Sequence, residues 1–232
     1  MKSYHPFFVF CRFCVRMAQR RPRRPLLRGA EKVTAPAVLV ARHQNLYGPI
    51  SIMAWYPVPL RLWVIDKLAV PEACREHYRT FVGPVRLRLG PIMSRVFAAL
   101  YMPLVVRLVR SGNSIIVYRG QREIMKTLDE SVQALCEGEI LCLSPDIDYT
   151  STESGAVNMY TGFVHLAKKY FKRTGKSLPF YPVYTSRRVD SIEIGDPVYL
   201  DPDKPFFEEK ERVVDEIRRG FEQMAQRCGD TK

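Results

Sequence analysis

From Ala37 onward, runs of four or five apolar residues alternate with longer stretches in which apolar residues return every three or four positions. Short apolar runs bounded by turn-forming residues mark strands covered on both faces, and the longer recurrence marks helices with one covered side. The pattern predicts strands over Ala37 to Ala41, Arg61 to Ile65, Ser114 to Tyr118, Ile140 to Leu143, Phe180 to Tyr184 and Ser191 to Ile194. Helices are expected over Leu46 to Tyr56, Pro71 to Thr80, Pro91 to Arg110, Gln121 to Glu137, Gly155 to Phe171 and Phe206 to Arg227. Alternation of this kind argues for an α/β fold with a largely parallel central sheet flanked by helices, with an antiparallel hairpin around Ser186 to Asp190. No internal repeat breaks it.

Ahead of this region the pattern changes. Tyr4 to Arg20 reads as a basic amphipathic helix: Arg12, Arg16 and Arg20 recur every four residues, with Phe10, Phe13, Cys14 and Met17 on other faces. Pro22 and Pro25 end it, because proline removes a helical donor and restrains the residue before it. Residues 1–30 carry eight Lys or Arg and no acid, Glu31 being the first. Two parts are therefore expected, a basic surface helix with its linker over 1–30 and an α/β domain over 31–232. Such a helix suits the headgroup layer of an anionic bilayer, where each cation contributes about 1 kcal/mol. Its arginines lie within and after the apolar stretch, unlike those of a secretory signal, so a peripheral protein on the cytoplasmic side of the membrane is expected. No run reaches the ~18 uninterrupted apolar residues of a conventional spanning helix.

Composition narrows the classes further. With 47% hydrophobic and 26% charged residues among 232, the chain is globular. The net charge of +12 invites a nucleic-acid reading, but the acid-free basic cluster over 1–30 has no interleaved recognition motif, so no nucleic-acid partner is expected. No Gly-rich dinucleotide or phosphate loop is present. Cys11 and Cys14 lack a second pair at zinc-ligand spacing, and no metal site is expected. Cys136 and Cys142, in apolar contexts, read as buried thiols.

Candidate chemistry begins at Arg42-His43-Gln44-Asn45-Leu46-Tyr47-Gly48-Pro49-Ile50, which follows the apolar Val38-Leu39-Val40. A histidine leaving a buried strand just before a helix can serve as a general base, since its ordinary pKa leaves it neutral near pH 7. Ser114-Ile115-Ile116-Val117-Tyr118 ends in Arg119, whose guanidinium suits bidentate phosphate binding, and Gly120 then opens a helix.

In this order these segments resemble the phospholipid/glycerol acyltransferases, the lysophosphatidate acyltransferase-like family, whose first motif is N-H-x-x-x-x-D. His43, Pro49 and Ile50 fall in register, with Arg42 at the Asn and Gly48 at the Asp. Ser114 to Gly120 is similar to the second block. Leu143-Ser144-Pro145-Asp146-Ile147-Asp148-Tyr149 stands where F-P-E-G-T-R is usual, so that Pro145 meets the Pro, Asp146 the Glu, Ile147 the Gly and Tyr149 the Arg. Leu178 to Tyr184 and Ile194 to Tyr199 match the later blocks, and the resemblance spans Ala37 to about Gln226.

It implies acyl transfer from acyl-CoA or acyl carrier protein to the hydroxyl of a lysophosphatidate-like lysophospholipid, with the donor as co-substrate and no cofactor. His43 would take the hydroxyl proton. Arg119, Gly120, Pro145, Tyr149 and Arg42 would line the acceptor, and Arg122, Lys126, Arg187 and Arg188 could supply further charge. Since Gly48 carries no carboxylate, Asp146 or Asp148 is expected to pair with His43. The other implied reading is a lipid-binding relative that has lost the dyad. Pro91 to Arg110, apolar with Arg95, Arg107 and Arg110 towards its flanks, reads either as an ordinary core helix or as a wall of the acyl-chain tunnel or a second membrane-dipping face.

Overall fold

The computed structural model of the chain describes residues 3–19, 25–44, 47–118, 120, 122–147 and 158–230. Contacts divide it into two compact units, one built from residues 12–60 and 128–232, the other from residues 3–11 and 61–127.

In the first unit, strands β1 (Leu26–Arg28), β2 (Ala37–Ala41), β5 (Ile140–Leu143), β6 (Phe180–Ser186) and β7 (Ser191–Ile194) form one sheet in the order β1-β7-β6-β2-β5. Among the described strands of this unit the pairs β2–β5, β2–β6 and β1–β7 are parallel and the β6–β7 hairpin is antiparallel. Every residue of β2, β5, β6 and β7 is buried. That is the signature of a sheet covered on both faces, so β2, β5 and most of β6 read as continuous apolar runs, whereas β7 (Ser-Ile-Glu-Ile) alternates and buries Ser191 and Glu193. The fold is α/β with a largely parallel sheet flanked by helices, as the periodicity predicts.

Helix α8 (Phe206–Cys228) packs on β6 through Val213, Ile217, Phe221 and Met224. Gly220 lets it approach, since a Cβ there would lie 2.7 Å from the Pro182 ring. Its first turn is fixed by the buried Glu209, which accepts hydrogen bonds from the Asp201 amide and from Arg212. Bonding to Arg212 lowers the Glu209 carboxyl to about 2, against an opposing push from burial. Helices α2 (Tyr47–Trp55) and α7 (His165–Thr174) complete the cover, and the second half of α1 (Pro6–Ala18) binds the end of α2 through Arg12 and Arg16, whose side chains donate to the Ala54 carbonyl.

The second unit holds the parallel pair β3 (Arg61–Ile65) and β4 (Ile115–Val117), helices α3 (Asp66–Ala69), α4 (Pro71–His77) and α5 (Pro91–Ser111), and a π-helical stretch over Tyr78–Arg86. Helix α6 (Ile124–Cys136) begins in this unit and ends in the first. Cys74, Met102 and Val106 form a small core with Tyr78 and Val105.

Several boundaries differ from the sequence expectation, each for a local reason. The helix begun at Pro71 does not stop near Thr80: it widens into π turns as far as Arg86, across Gly83, where a Cβ would meet the Ser94 hydroxyl at 2.5 Å, and Pro84. The helix expected from Gly155 starts in the described residues as a short 3-10 turn at Gly162–Val164 and runs on to Thr174. Strand β6 continues to Ser186 because Thr185 and Ser186 pair with Ile192 and Ser191, and polar residues hid that extension. Strand β1 went unpredicted, three residues being too short to carry a period. Cys136 is exposed rather than buried, whereas Cys142 is enclosed in β5 and burial pushes its thiol up to about 12. Helix α5 departs from the expectation drawn from uninterrupted runs: an 18-residue window averages a mean hydropathy of 1.7, so by length and composition it could cross a membrane.

Candidate active site at the carboxyl ends of β2 and β5

Register brings the candidate site together. Val40 of β2 lies beside Leu143 of β5, and both strands run the same way, so His43 and Asp146, each three residues further on, emerge next to one another. The main-chain N–H of His43 donates to Asp146 Oδ2 at 2.9 Å. The ends of parallel strands, where side chains can converge outside the sheet, are where open α/β folds hold ligands.

Asp146 also faces the guanidinium of Arg42, Nε to Oδ2 being 3.4 Å, and the two side chains are 0% and 1% exposed. Burial pushes the Asp146 carboxyl above its ordinary range, while the His43 amide and the Arg42 charge pull it back. The loop that presents Asp146 is held from outside the strand. Asp146 bridges Met159, the Ile147 amide donates to the Asn158 carbonyl at 2.9 Å, and the Tyr160 amide donates to Pro145 at 2.8 Å.

Gln44 takes a left-handed conformation with φ of 46°, uncommon for a residue with a side chain, and is held by the Thr185 hydroxyl, which donates to its buried amide oxygen at 2.5 Å. The Tyr47 amide reaches the Gln44 carbonyl at 3.2 Å and the Gly48 amide the His43 carbonyl at 3.3 Å, so α2 starts directly against the end of β2. At Gly48 the approach is so close that a Cβ would stand 1.9 Å from the Arg42 carbonyl oxygen. The glycine in the motif's acidic position thus has a steric cause in this chain: this backbone has no room there for any side chain. On the outer side, the Arg187 guanidinium stacks 4.4 Å from the Tyr47 ring, a favourable cation–π arrangement. Burial raises the Tyr47 hydroxyl's pKa, and Asp190 adds to the rise.

The sequence-predicted residues fall into three groups. His43, Arg42, Pro145 and Asp146 are gathered, and His43 is half-buried and so partly open to solvent. Arg42 is expected on sequence grounds to meet the acceptor, but the structure buries it against Asp146, closed to a phosphate arriving from solvent. Asp146 is expected to meet the imidazole; it accepts a hydrogen bond from the peptide that carries the imidazole, and the His43 charge also pulls its carboxyl down. Gly120 is exposed in the second unit, its carbonyl accepting from the Ile124 amide in the first turn of α6. Arg119, Asp148 and Tyr149 lie outside the described residues. Sequence reasoning missed Gln44 and Thr185. The only available hint was that Thr185 follows an apolar strand. Among the described residues no group of three or more His, Cys, Asp or Glu could hold a metal ion.

No protein-family model matches the chain, and no curated protein matches it in sequence. Among solved structures it is similar to the 1-acyl-sn-glycerophosphate (lysophosphatidate, LPA) acyltransferase PlsC from Thermotoga maritima, with a TM-score of 0.52 and 14% identity. The similarity covers 94% of this chain and 76% of the other. The two proteins share a fold. At that identity the likeness speaks for the arrangement of elements around β2 and β5, not for the chemistry done there.

Proposed function

We propose that this protein is a peripheral membrane O-acyltransferase that moves a fatty acyl group from acyl-CoA or acyl carrier protein to the hydroxyl of a lysophosphatidate-like glycerolipid on the cytoplasmic side of the membrane. The observation that carries the reading is the partly open His43 at the end of β2, its peptide held by Asp146, in a fold shared with a lysophosphatidate acyltransferase.

In this mechanism His43 takes the proton of the acceptor hydroxyl as its oxygen attacks the thioester carbonyl. Collapse of the tetrahedral species breaks the C–S bond, the thiolate leaves, and the imidazolium returns the proton to sulfur. Asp146 serves as a positioning residue: by holding the His43 amide it fixes the direction in which the imidazole leaves the strand. Its charge also lies close enough to favour the imidazolium. Arg119 would hold the acceptor phosphate, with Arg187, stacked beside the start of α2, as a second source of positive charge.

A second reading, a lipid-binding relative that does no chemistry, has its own support in the glycine forced at position 48. Loss of the orienting aspartate from a serine-protease triad costs roughly 10⁴ in rate. One experiment separates the two readings. Purified protein is incubated with labelled acyl-CoA and a panel of lysophospholipids, and products are read by mass spectrometry. The acyltransferase reading expects a diacyl product, with turnover reduced at least about 10³-fold in His43→Ala, consistent with loss of a base on which both proton transfers depend. Lipid binding without product in the wild type favours the second reading, and undiminished turnover in His43→Ala refutes the mechanism.

A further inference from the structure

Helix α5 has two faces of opposite fate. Ser94, Ala98, Met102 and Val106, four residues apart, are buried within the second unit against α4 and the π-helical stretch. On other sides of the same helix, Ile92, Val96, Leu100 and Leu104, also four apart, stand in solvent with Met93, Ile92 being 75% and Leu100 70% exposed. The preceding π-helical stretch and the turn after it add Val85 and Leu87, both exposed. The outward side of a helix in a water-soluble domain is polar, and a contiguous apolar patch marks a surface that meets something.

Charge identifies the partner. From residue 77 to residue 122 the chain has eight arginines, no lysine and no aspartate or glutamate. Arg86, Arg88 and Arg95 flank the start of the apolar stripe, and Arg107 and Arg110 its end. A second copy of this chain meeting the patch about a two-fold axis would set these arginines against themselves, with no acid in the segment to neutralise them. An anionic bilayer answers both features, since acyl chains accept the stripe and headgroup phosphates accept the arginines. A spanning orientation does not fit, because the Ser94–Val106 face is already covered by protein.

We propose that the outward face of α5, with Val85 and Leu87, lies in the interfacial layer of an anionic membrane, as a second contact that does not depend on the N-terminal helix. The claim does not require that the protein transfers acyl groups, and its test reads binding alone.

The test is cosedimentation of the full-length chain with phosphatidylcholine vesicles with and without phosphatidylglycerol. The variants are Ile92→Asp/Leu100→Asp, Arg88→Gln/Arg95→Gln and His43→Ala, each checked for wild-type thermal unfolding. The aspartate pair is expected to lower partitioning onto anionic vesicles at least about tenfold with α1 intact, because it sets two charges in the apolar layer. The glutamine pair should weaken binding to the anionic vesicles and leave the weak phosphatidylcholine binding unchanged. His43→Ala should bind as the wild type does, so that an inactive enzyme and a failed membrane contact give different results. Wild-type protein that ignores anionic vesicles, or a folded aspartate variant that binds them unchanged, overturns the proposal. So does a dimer in sedimentation velocity that the aspartate pair dissolves while vesicle binding persists.

Discussion

The two units spend their apolar residues in opposite ways. In the first, β2, β5, β6 and β7 are buried along their whole length, and even the charges at the strand ends, Arg42 and Asp146, are shut away from water. In the second, the longest apolar helix leaves Ile92, Met93, Val96, Leu100 and Leu104 in solvent, among arginines that have no acid nearby in sequence. Equal hydrophobicity therefore does not mean equal contribution to stability. The first unit converts it into a closed frame behind His43, and the second leaves it at the surface.

The sharpest break between the units should come from their charges. Asp146→Ala leaves the Arg42 guanidinium buried without its carboxylate, and the expected loss is about 3–5 kcal/mol of unfolding free energy in urea. Arg42→Met combined with Asp146→Leu should recover most of it, because two apolar side chains of similar volume need no counter-charge. Arg95→Ala, exposed on α5, should stay within about 0.5 kcal/mol of wild type. A mild Asp146→Ala would mean that water reaches the pair and that the strand ends are not the closed frame described above.

Apolar truncation gives the next largest contrast. Leu39, fully buried in β2, and Leu100, 70% exposed on α5, are the same residue in sequence terms. Leu39→Ala should cost about 2–5 kcal/mol through lost contacts and the cavity left behind. Leu100→Ala should cost less than about 0.5 kcal/mol in solution. Equal losses would show that the α5 face is packed in the folded protein, and would remove the basis for a membrane contact there.

How much of this was legible beforehand follows the same division. The buried strands announced themselves because a run such as Ala37 to Ala41 has few other uses, and the parallel order followed from their alternation with helices. His43 was legible because it leaves such a run just before a helix, and Asp146 only through the resemblance, as an acid in the segment that stands at the third acyltransferase block. Their actual relation was not legible: register between β2 and β5 decides that Asp146 binds the His43 peptide, and register is a long-range property. The Thr185–Gln44 bond, 141 residues apart in sequence, is hidden for the same reason. In the second unit the apolar content of α5 was plain, but which of its sides is covered depends on how α4 and the π-helical turns pack, and no local pattern reports that.

Two glycines give the finest comparison. Gly48 and Gly120 each stand near the start of a helix that follows a strand. A Cβ on Gly48 would stand 1.9 Å from the Arg42 carbonyl oxygen, which is backbone and cannot swing aside, whereas the nearest atom to one on Gly120 would be the movable Glu123 carboxylate at 2.7 Å. Gly48→Ala should therefore cost about 1–3 kcal/mol even after the turn relaxes, and Gly120→Ala close to nothing. Gly48→Asp, which places a carboxylate where the acyltransferase motif has its aspartate, should destabilise the protein in the same way and fail to raise any turnover it has. The carboxylate would enter by displacing the peptide that holds His43 in place. A Gly48→Asp variant that is both stable and faster would show that the turn is soft, and that Asp146 is not what orients the histidine.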